Sequence, residues 1–390
     1  MESLAQKWQI EQQHWRAEGL TRSLEALDRA GNEGLHFRDA CGRELLSFAS
    51  NDYLALSGHP NLRRAAVAEL ARSGVGSGAA PLLGGERPVH AALAEALAAW
   101  LGEEAVLLFG SGYLANLGLV QALVGRKDRL YADRLNHASL VDAARLCGAR
   151  LIRYRHGDPE DLAHRLRQGG SGRAWILSDG VFSMDGDVAP LPELLDLARQ
   201  HEAVLILDEA HAFGVLGASG RGSLAHFGIE QPGPLLRMGT LGKAFGVYGA
   251  FVAGPQWLVD VLRQRARSFV YHTALPAALA AASLAALELL RDAEAERRHL
   301  LALRHALREA LPQGQWLPSD SPIQALLLGD NARALTLSAR LREVGFYCPA
   351  VRPPTVPPHS ARLRITLSAG HSTADIGALA KALNTALAAL

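Results

Sequence analysis

The sequence predicts an α/β fold, with a mostly parallel sheet in a large domain and a small α+β domain after it. Three observations carry this. Between about residues 60 and 285, helical patterns alternate with six short apolar runs, each ending in glycine or a polar residue. The runs are uniformly apolar rather than alternating, which marks strands covered on both faces. Beyond about residue 290 the pattern changes to a long charged helix and two strand-like segments, "IQALLLGD" and "ARLRITLSA".

In chain order, residues 1–45 open with an amphipathic helix, and "FRDACGRELLSF" then reads as a strand pair around polar turn residues. The large domain is expected over 46–285. Its strands are expected at Ala105–Phe109, Arg129–Ala132, Trp175–Ser178, Val204–Leu207, Leu235–Thr240 and Ala250–Ala253. A helix from about Arg291 to Leu311 belongs to a C-terminal domain over 286–390. In open sheets of this kind ligands sit outside the carboxyl ends of the strands. The residues that follow each run therefore matter most.

Composition narrows the function. The chain has 390 residues, enough for two lobes and a large core. Its 40 basic and 39 acidic residues give a formal charge of +1, with no basic block. That argues against nucleic-acid or membrane-surface partners, which need a clustered cationic face. Cys41, Cys147 and Cys348 are far apart and lack C-x-x-C spacing, which argues against structural zinc or a disulfide framework. No apolar signal core opens the chain, and the expected location is the cytoplasm. The longest uncharged run, Thr273–Leu287, is short for a bilayer span and reads as a packed helix.

Chemistry concentrates after the strands. "LLRMGTLGKAFGVYG" places Lys243 among glycines and small residues, where it would hold a phosphate or act as an amine that condenses with a carbonyl. "GSGYLANLGLV" puts Gly110 and Gly112 before a helix, a ready anion site or an ordinary strand–helix turn. "DEAHAFG" places Asp208 at a strand end and His211 just after it; the plainer readings are a helix cap and a surface imidazole. The tetrapeptide DEAH raises a helicase, but that machine needs G-x-x-x-x-G-K-[ST]. Here Arg237 stands five before Gly242, and Ala244 follows the lysine, so the phosphate loop fails twice.

The carbonyl-condensing reading remains. Pyridoxal phosphate (PLP) needs an amine for its aldehyde, a carboxylate for its pyridine nitrogen, a phosphate cup and a group against its ring. Lys243, Asp208, Gly112 with Tyr113, and His137 supply these.

With Asp208-x-x-His211 and Thr240-x-x-Lys243, the sequence resembles the α-oxoamine synthases from about residue 15 to its end. Further markers are "SNDYLALS", "GVGSG", "DRLNHASL", "GVFSMDGD", "LDEAHAFGVLGASGRG", "TLGKAFGVYG" and "RPPTVP". The resemblance implies the PLP-dependent transferase fold type I, which is aspartate-aminotransferase-like. It implies a homodimer that condenses an amino acid with an acyl thioester and releases CO2. Lys243 would link to the cofactor and move the substrate α-proton. Asp208 would pair with the pyridine nitrogen, His137 would stack on the ring, and Ser183 and His211 would lie near the phenolic oxygen. Gly112, Tyr113 and Thr240 would form the phosphate cup, with Thr273 supplied by the partner subunit. Arg364 would hold the amino-acid carboxylate, a task suited to a planar fork. Asn51 would line the same pocket, and Arg22 and Thr355 would contact the acyl substrate.

"RPPTVP" favours the branch that joins L-alanine to pimeloyl-CoA, or to its acyl-carrier-protein equivalent, in biotin synthesis. Sister enzymes that use glycine with acetyl-CoA or succinyl-CoA are the alternative, and a PLP aminotransferase is a more remote one. Two departures stand out. Asp179 occupies a position where these synthases often carry glutamate, and "GAAPLLGGERPVH" replaces a serine-rich loop.

Overall fold

The computed structural model describes residues 2–31 and 34–390. The chain divides into two compact units. One comprises residues 52–183 and 187–297; the other comprises 1–51, 184–186 and 298–390.

Fourteen strands are present among the described residues. In the smaller unit's first segment these are β1 (Asp28–Arg29), β2 (His36–Arg38) and β3 (Glu44–Ser47). The larger unit holds β4 (Ala105–Phe109), β5 (Arg129–Asp133), β6 (Arg150–Tyr154), β7 (Ala174–Asp179), β8 (Val204–Asp208), β9 (Leu235–Thr240) and β10 (Ala250–Gly254). The smaller unit resumes with β11 (Ile323–Gly329), β12 (Phe346–Tyr347), β13 (Ala350–Val351) and β14 (Ala361–Thr366).

The seven strands of the larger unit form one sheet in the order β4-β10-β9-β8-β7-β5-β6. Only β10 runs against its neighbours. The uniformly apolar runs find their explanation in the two clusters they feed. Trp175 and Leu177 of β7 pack with Leu119 and Leu140 from helices Gly112–Leu123 and Ala138–Leu146. The intervening Ile176 packs instead with Leu162 and Leu194, from helices Pro159–Arg167 and Leu191–Gln200. Successive side chains of one strand thus enter opposite cores, so neither parity of position is polar.

Strand β6, "RLIRY", lies outside the six expected runs. An arginine at each end of its core masks the apolar signal, and most of the strand is only half-buried. The turn after it carries an ion cluster. His156 Nδ1 lies 3.0 Å from Asp133 Oδ1, and its Nε2 lies 3.0 Å from Asp187 Oδ2. Burial opposes charge on this ring, but the hydrogen bonds to Asp133 and Asp187 outweigh it and raise the pKa from 6.5 to about 10. A raised folded-state value means the stabilisation is complete below pH 6.5 and is lost as pH climbs through about 10. The melting temperature is expected to fall across that interval, and His156→Asn should flatten the fall. An equal slope in wild type and variant would remove His156 as its cause.

In the smaller unit, residues 1–51 join the C-terminal residues through a parallel ladder in which Leu46 faces Phe346 and Ser47 faces Tyr347. Phe48 then stacks on His371, with ring centroids 4.1 Å apart. The sequence expectation sets 1–45 apart as its own segment, because a pairing between the two ends of a chain leaves no local pattern. Helix Glu2–Ala17 is largely exposed, Leu4, Trp8 and Trp15 included. A three-stranded sheet, β11-β14-β13, completes the unit. Among the described residues no helix is long and apolar enough to cross a membrane.

Candidate active site

Register brings the turns of the large sheet together. Ala250, at the start of β10, faces Phe109 on one side and Thr240 on the other, so the carboxyl ends of β4 and β9 are level. Asp179 lies beside Asp208, and Asp208 beside Met238. The turns leaving β4, β7, β8 and β9 therefore open on one edge, the edge where open α/β sheets bind ligands.

After β4, the side chain of Ser111 accepts a hydrogen bond from Leu114 N–H at 3.3 Å and caps helix Gly112–Leu123. The N–H groups of Gly112 and Tyr113 lie in the first turn, which has no carbonyls of its own to pair with. With the helix dipole they favour an anion. A Cβ on Gly112 would stand 3.9 Å from the Thr240 Cβ, so Thr240 faces this turn from β9. The Tyr113 hydroxyl donates to the Asp142 carboxylate, and that bond is the main reason its pKa is raised.

Thr240 also shapes the lysine turn. Its Oγ1 donates to Gly249 O at 3.0 Å and accepts from Gly242 N–H at 3.2 Å. Gly246 N–H donates to Lys243 O at 2.8 Å, closing the turn. Gly246 has φ +69°, and a Cβ there would lie 2.4 Å from Ser57 N. Only glycine satisfies both conditions. Lys243 is half-buried, with Nζ 2.6 Å from His211 Nε2. On its other side, His211 Nδ1 is 2.6 Å from the Tyr53 hydroxyl.

Asp208 is 4% exposed. Its Oδ1 accepts from Ala210 N–H at 2.9 Å and its Oδ2 from Asn116 Nδ2 at 2.7 Å. Asn116 Nδ2 also donates to Ser139 Oγ at 2.9 Å, and Ser139 Oγ lies 2.7 Å from His137 Nδ1. Ser139 N–H donates to the same Nδ1 at 3.3 Å, so that nitrogen is an acceptor and the ring proton belongs on Nε2. A continuous chain of hydrogen bonds thus joins Asp208 to His137.

His137 is exposed to solvent in part, and its neighbours remove the rest of its hydration. Desolvation is the largest influence on its pKa and lowers it; Asp208 opposes this, and the positive charge of Lys243 adds to it. The net shift favours the neutral ring. Asp179, the short carboxylate of β7, accepts His137 N–H at 2.7 Å. Burial first, and the Asp208 charge next, raise its pKa well above the ordinary carboxyl range. Its structural task is to anchor the backbone of the turn that carries His137.

Of the other expected residues, Ser183 is half-buried in the turn after β7. Thr273 is exposed, and its carbonyl is bonded by His272 Nδ1. In the smaller unit, Arg364 lies on the central strand β14 and is 7% exposed. Its guanidinium donates to Asn51 Oδ1 at 2.9 Å and Thr366 Oγ1 at 2.8 Å. Arg22 Nη2 donates to Thr355 Oγ1 at 3.0 Å. The expected substrate residues of this unit therefore stand as two bonded pairs.

Asn116, Ser139 and Tyr53 are additions to the residues picked from sequence, and Asp179, noted there only as a shorter carboxylate, joins them by its bond to His137 N–H. Asn116 left one signal, an amide in an otherwise apolar helix.

The donor set suits PLP. An amine, a buried carboxylate and helix N–H groups stand on one sheet edge.

Comparison with known proteins agrees. The family model "Aminotransferase class I and II" matches residues 43–383. The 8-amino-7-oxononanoate synthase of Acidithiobacillus ferrooxidans (strain ATCC 53993 / BNL-5-31) is 64% identical over 383 residues, 98% of this chain and 98% of that protein. Serine palmitoyltransferase from S. paucimobilis, solved with a bound PLP-myriocin aldimine, superposes with a TM-score of 0.93 at 27% identity, covering 99% of this chain and 98% of that one. The 8-amino-7-oxononanoate synthase of Francisella tularensis superposes with a TM-score of 0.77 at 29% identity, covering 88% and 98%.

Proposed function

The chain belongs to the 8-amino-7-oxononanoate synthases, PLP-dependent enzymes within the class I and II aminotransferase family, and on that premise we propose that it condenses L-alanine with a pimeloyl thioester. The products are 8-amino-7-oxononanoate, CO2 and the free thiol carrier, a step of biotin synthesis. The observation that carries this reading is the 64% identity over nearly the whole chain, joined to an amine, a carboxylate and an anion turn on one sheet edge.

Bound PLP supplies an electron sink for the carbanion formed at the amino-acid α-carbon. The chain's residues do the rest. Lys243 holds the cofactor and carries the α-proton. Asp208, fixed by Asn116 and Ala210 N–H, keeps a negative charge where the pyridine nitrogen needs it. His137, neutral and anchored through Ser139 and Asp179, offers its ring face. The first turn after β4, with Thr240, takes the phosphate; Ser183 and His211 serve the phenolic oxygen. Arg364 and Asn51 take the amino-acid carboxylate, and the expected partner contribution is Thr273 from a second copy in a homodimer.

Arg22 and Thr355 meet the acyl substrate. Arg22 lines a cavity of about 490 Å³ with Trp15, Leu20 and Pro354, an apolar wall beside a cation. That combination suits a methylene chain ending in a carboxylate. Desolvation, and then the neighbouring charge of Arg22, lower the pKa of Arg352, a second cation near Arg22.

The test is product analysis by mass spectrometry, with alanine or glycine against a panel of acyl thioesters. One methyl group decides only about 1–3 kcal/mol, so some glycine turnover is expected. A buried distal carboxylate is costly when unpaired, so the acyl end discriminates more sharply. Pimeloyl thioester should therefore exceed succinyl-CoA and acetyl-CoA in kcat/KM, and Arg22→Ala should cost it most. A faster reaction of glycine with succinyl-CoA would place the chain among the sister synthases. Pimeloyl-CoA compared with pimeloyl-acyl carrier protein in the same assay identifies the thioester carrier.

A further inference from the structure

The hydrogen bond on the far side of His211 has its own chemistry. Tyr53 is fully buried, and its hydroxyl lies 2.6 Å from His211 Nδ1, while His211 Nε2 lies 2.6 Å from Lys243 Nζ. The backbone that carries Tyr53 is well held. Asp52 accepts the N–H groups of Leu56 at 2.9 Å and Ser57 at 3.0 Å, and Ser57 packs against Gly246 of the lysine turn. We propose that Tyr53 is a positioning residue, whose hydroxyl holds the His211 imidazole against Lys243 in either ring tautomer.

The reason lies in what each group can donate. A charged Lys243 offers only hydrogens, so His211 Nε2 must accept and the ring proton sits on Nδ1, where the Tyr53 oxygen accepts it. A neutral Lys243 has a lone pair, so Nε2–H can donate, and Nδ1 then accepts from the Tyr53 O–H. A phenol serves both arrangements. A carboxylate in its place would only accept, and would fix the proton on Nδ1. The assignment rests on the reading of Lys243 as the amine that carries a proton, because such an amine alternates between the two states.

The experiment compares PLP-loaded wild type with Tyr53→Phe, which removes one oxygen and keeps the ring. Nitrogen-15 NMR of labelled histidine reads His211, and steady-state kinetics with alanine read turnover. The expected result is a displaced His211 Nδ1 resonance, with kcat lowered about tenfold and the KM for alanine unchanged, the loss of roughly one hydrogen bond. Either change without the other overturns the proposal, as does a variant matching wild type in both. If Tyr53→Phe fails to fold, 3-fluorotyrosine at 53 keeps the hydroxyl and alters its acidity. It should move the same resonance, and an unmoved resonance overturns the proposal. The NMR signal does not depend on which acyl thioester is used, so a wrong acyl substrate cannot mimic either outcome.

Discussion

Lys243→Ala is expected to abolish turnover while leaving the fold intact. The side chain is half-buried, and its turn is closed by backbone bonds, Gly246 N–H to Lys243 O and Val247 N–H to Leu241 O, which alanine retains. Stability should therefore change little. Activity should fall roughly 10⁴-fold or more, because proton carriage alone is commonly worth about 10²–10⁴ and the covalent role is lost with it. Borohydride treatment followed by peptide mapping provides the chemical check. Wild type should carry the reduced cofactor on the peptide containing Lys243, and the variant should carry none. An adduct on another lysine would move the catalytic amine elsewhere, whatever the activity of the variant.

The second large effect is expected at Asp208. Both of its oxygens accept hydrogen bonds, from Ala210 N–H and Asn116 Nδ2. Asp208→Asn keeps the shape but removes the charge, and its amide must turn one NH2 toward a donor. The chain that runs through Ser139 to His137 is then disturbed at its origin. Removing a charge aimed at the developing transition state typically costs about 10²–10³ in kcat. Asn116→Ala separates the two contributions, since it leaves the carboxylate and removes only its partner. A smaller loss is expected there, with Asp208→Ala as the reference for complete removal. Near-wild-type kcat in Asp208→Asn would reduce the aspartate to a cap for the turn after β8.

Much of the fold was legible because hydrophobic period is local information. Uniform runs located β4, β5, β7, β8, β9 and β10 to within a residue or so at their ends, and the strand-end rule drew attention to Gly112, Asp208 and Lys243. Strand β6 escaped because Arg150 and Arg153 interrupt its apolar pattern. The supporting network was not legible for a different reason. Asn116, Ser139 and Asp208 come from separate helices and a strand, and a polar residue in sequence does not say which distant partner satisfies it. Tyr53 illustrates this. It sits inside "SNDYLALS", yet nothing local links it to His211. Arg364 was reached through the family resemblance alone, and its 7% exposure on the central strand β14 follows from a strand order that no local pattern carries.

The antiparallel strand β10 has a consequence for how the chain is made. Among the described residues, β4 lies at the end of its sheet with β10 as its one strand neighbour. A ribosome releases β4 well before β10, and at about 5–20 residues per second the interval is roughly 7–30 s. Throughout that time "AVLLF" has no sheet to join. Such a segment is sticky, being short, apolar and uncharged. Helix Pro88–Leu101, complete just before it, offers Leu93 and Leu97 as early company. Slow codons placed between the two strands would lengthen the exposed interval, and chaperone demand during synthesis would rise with it.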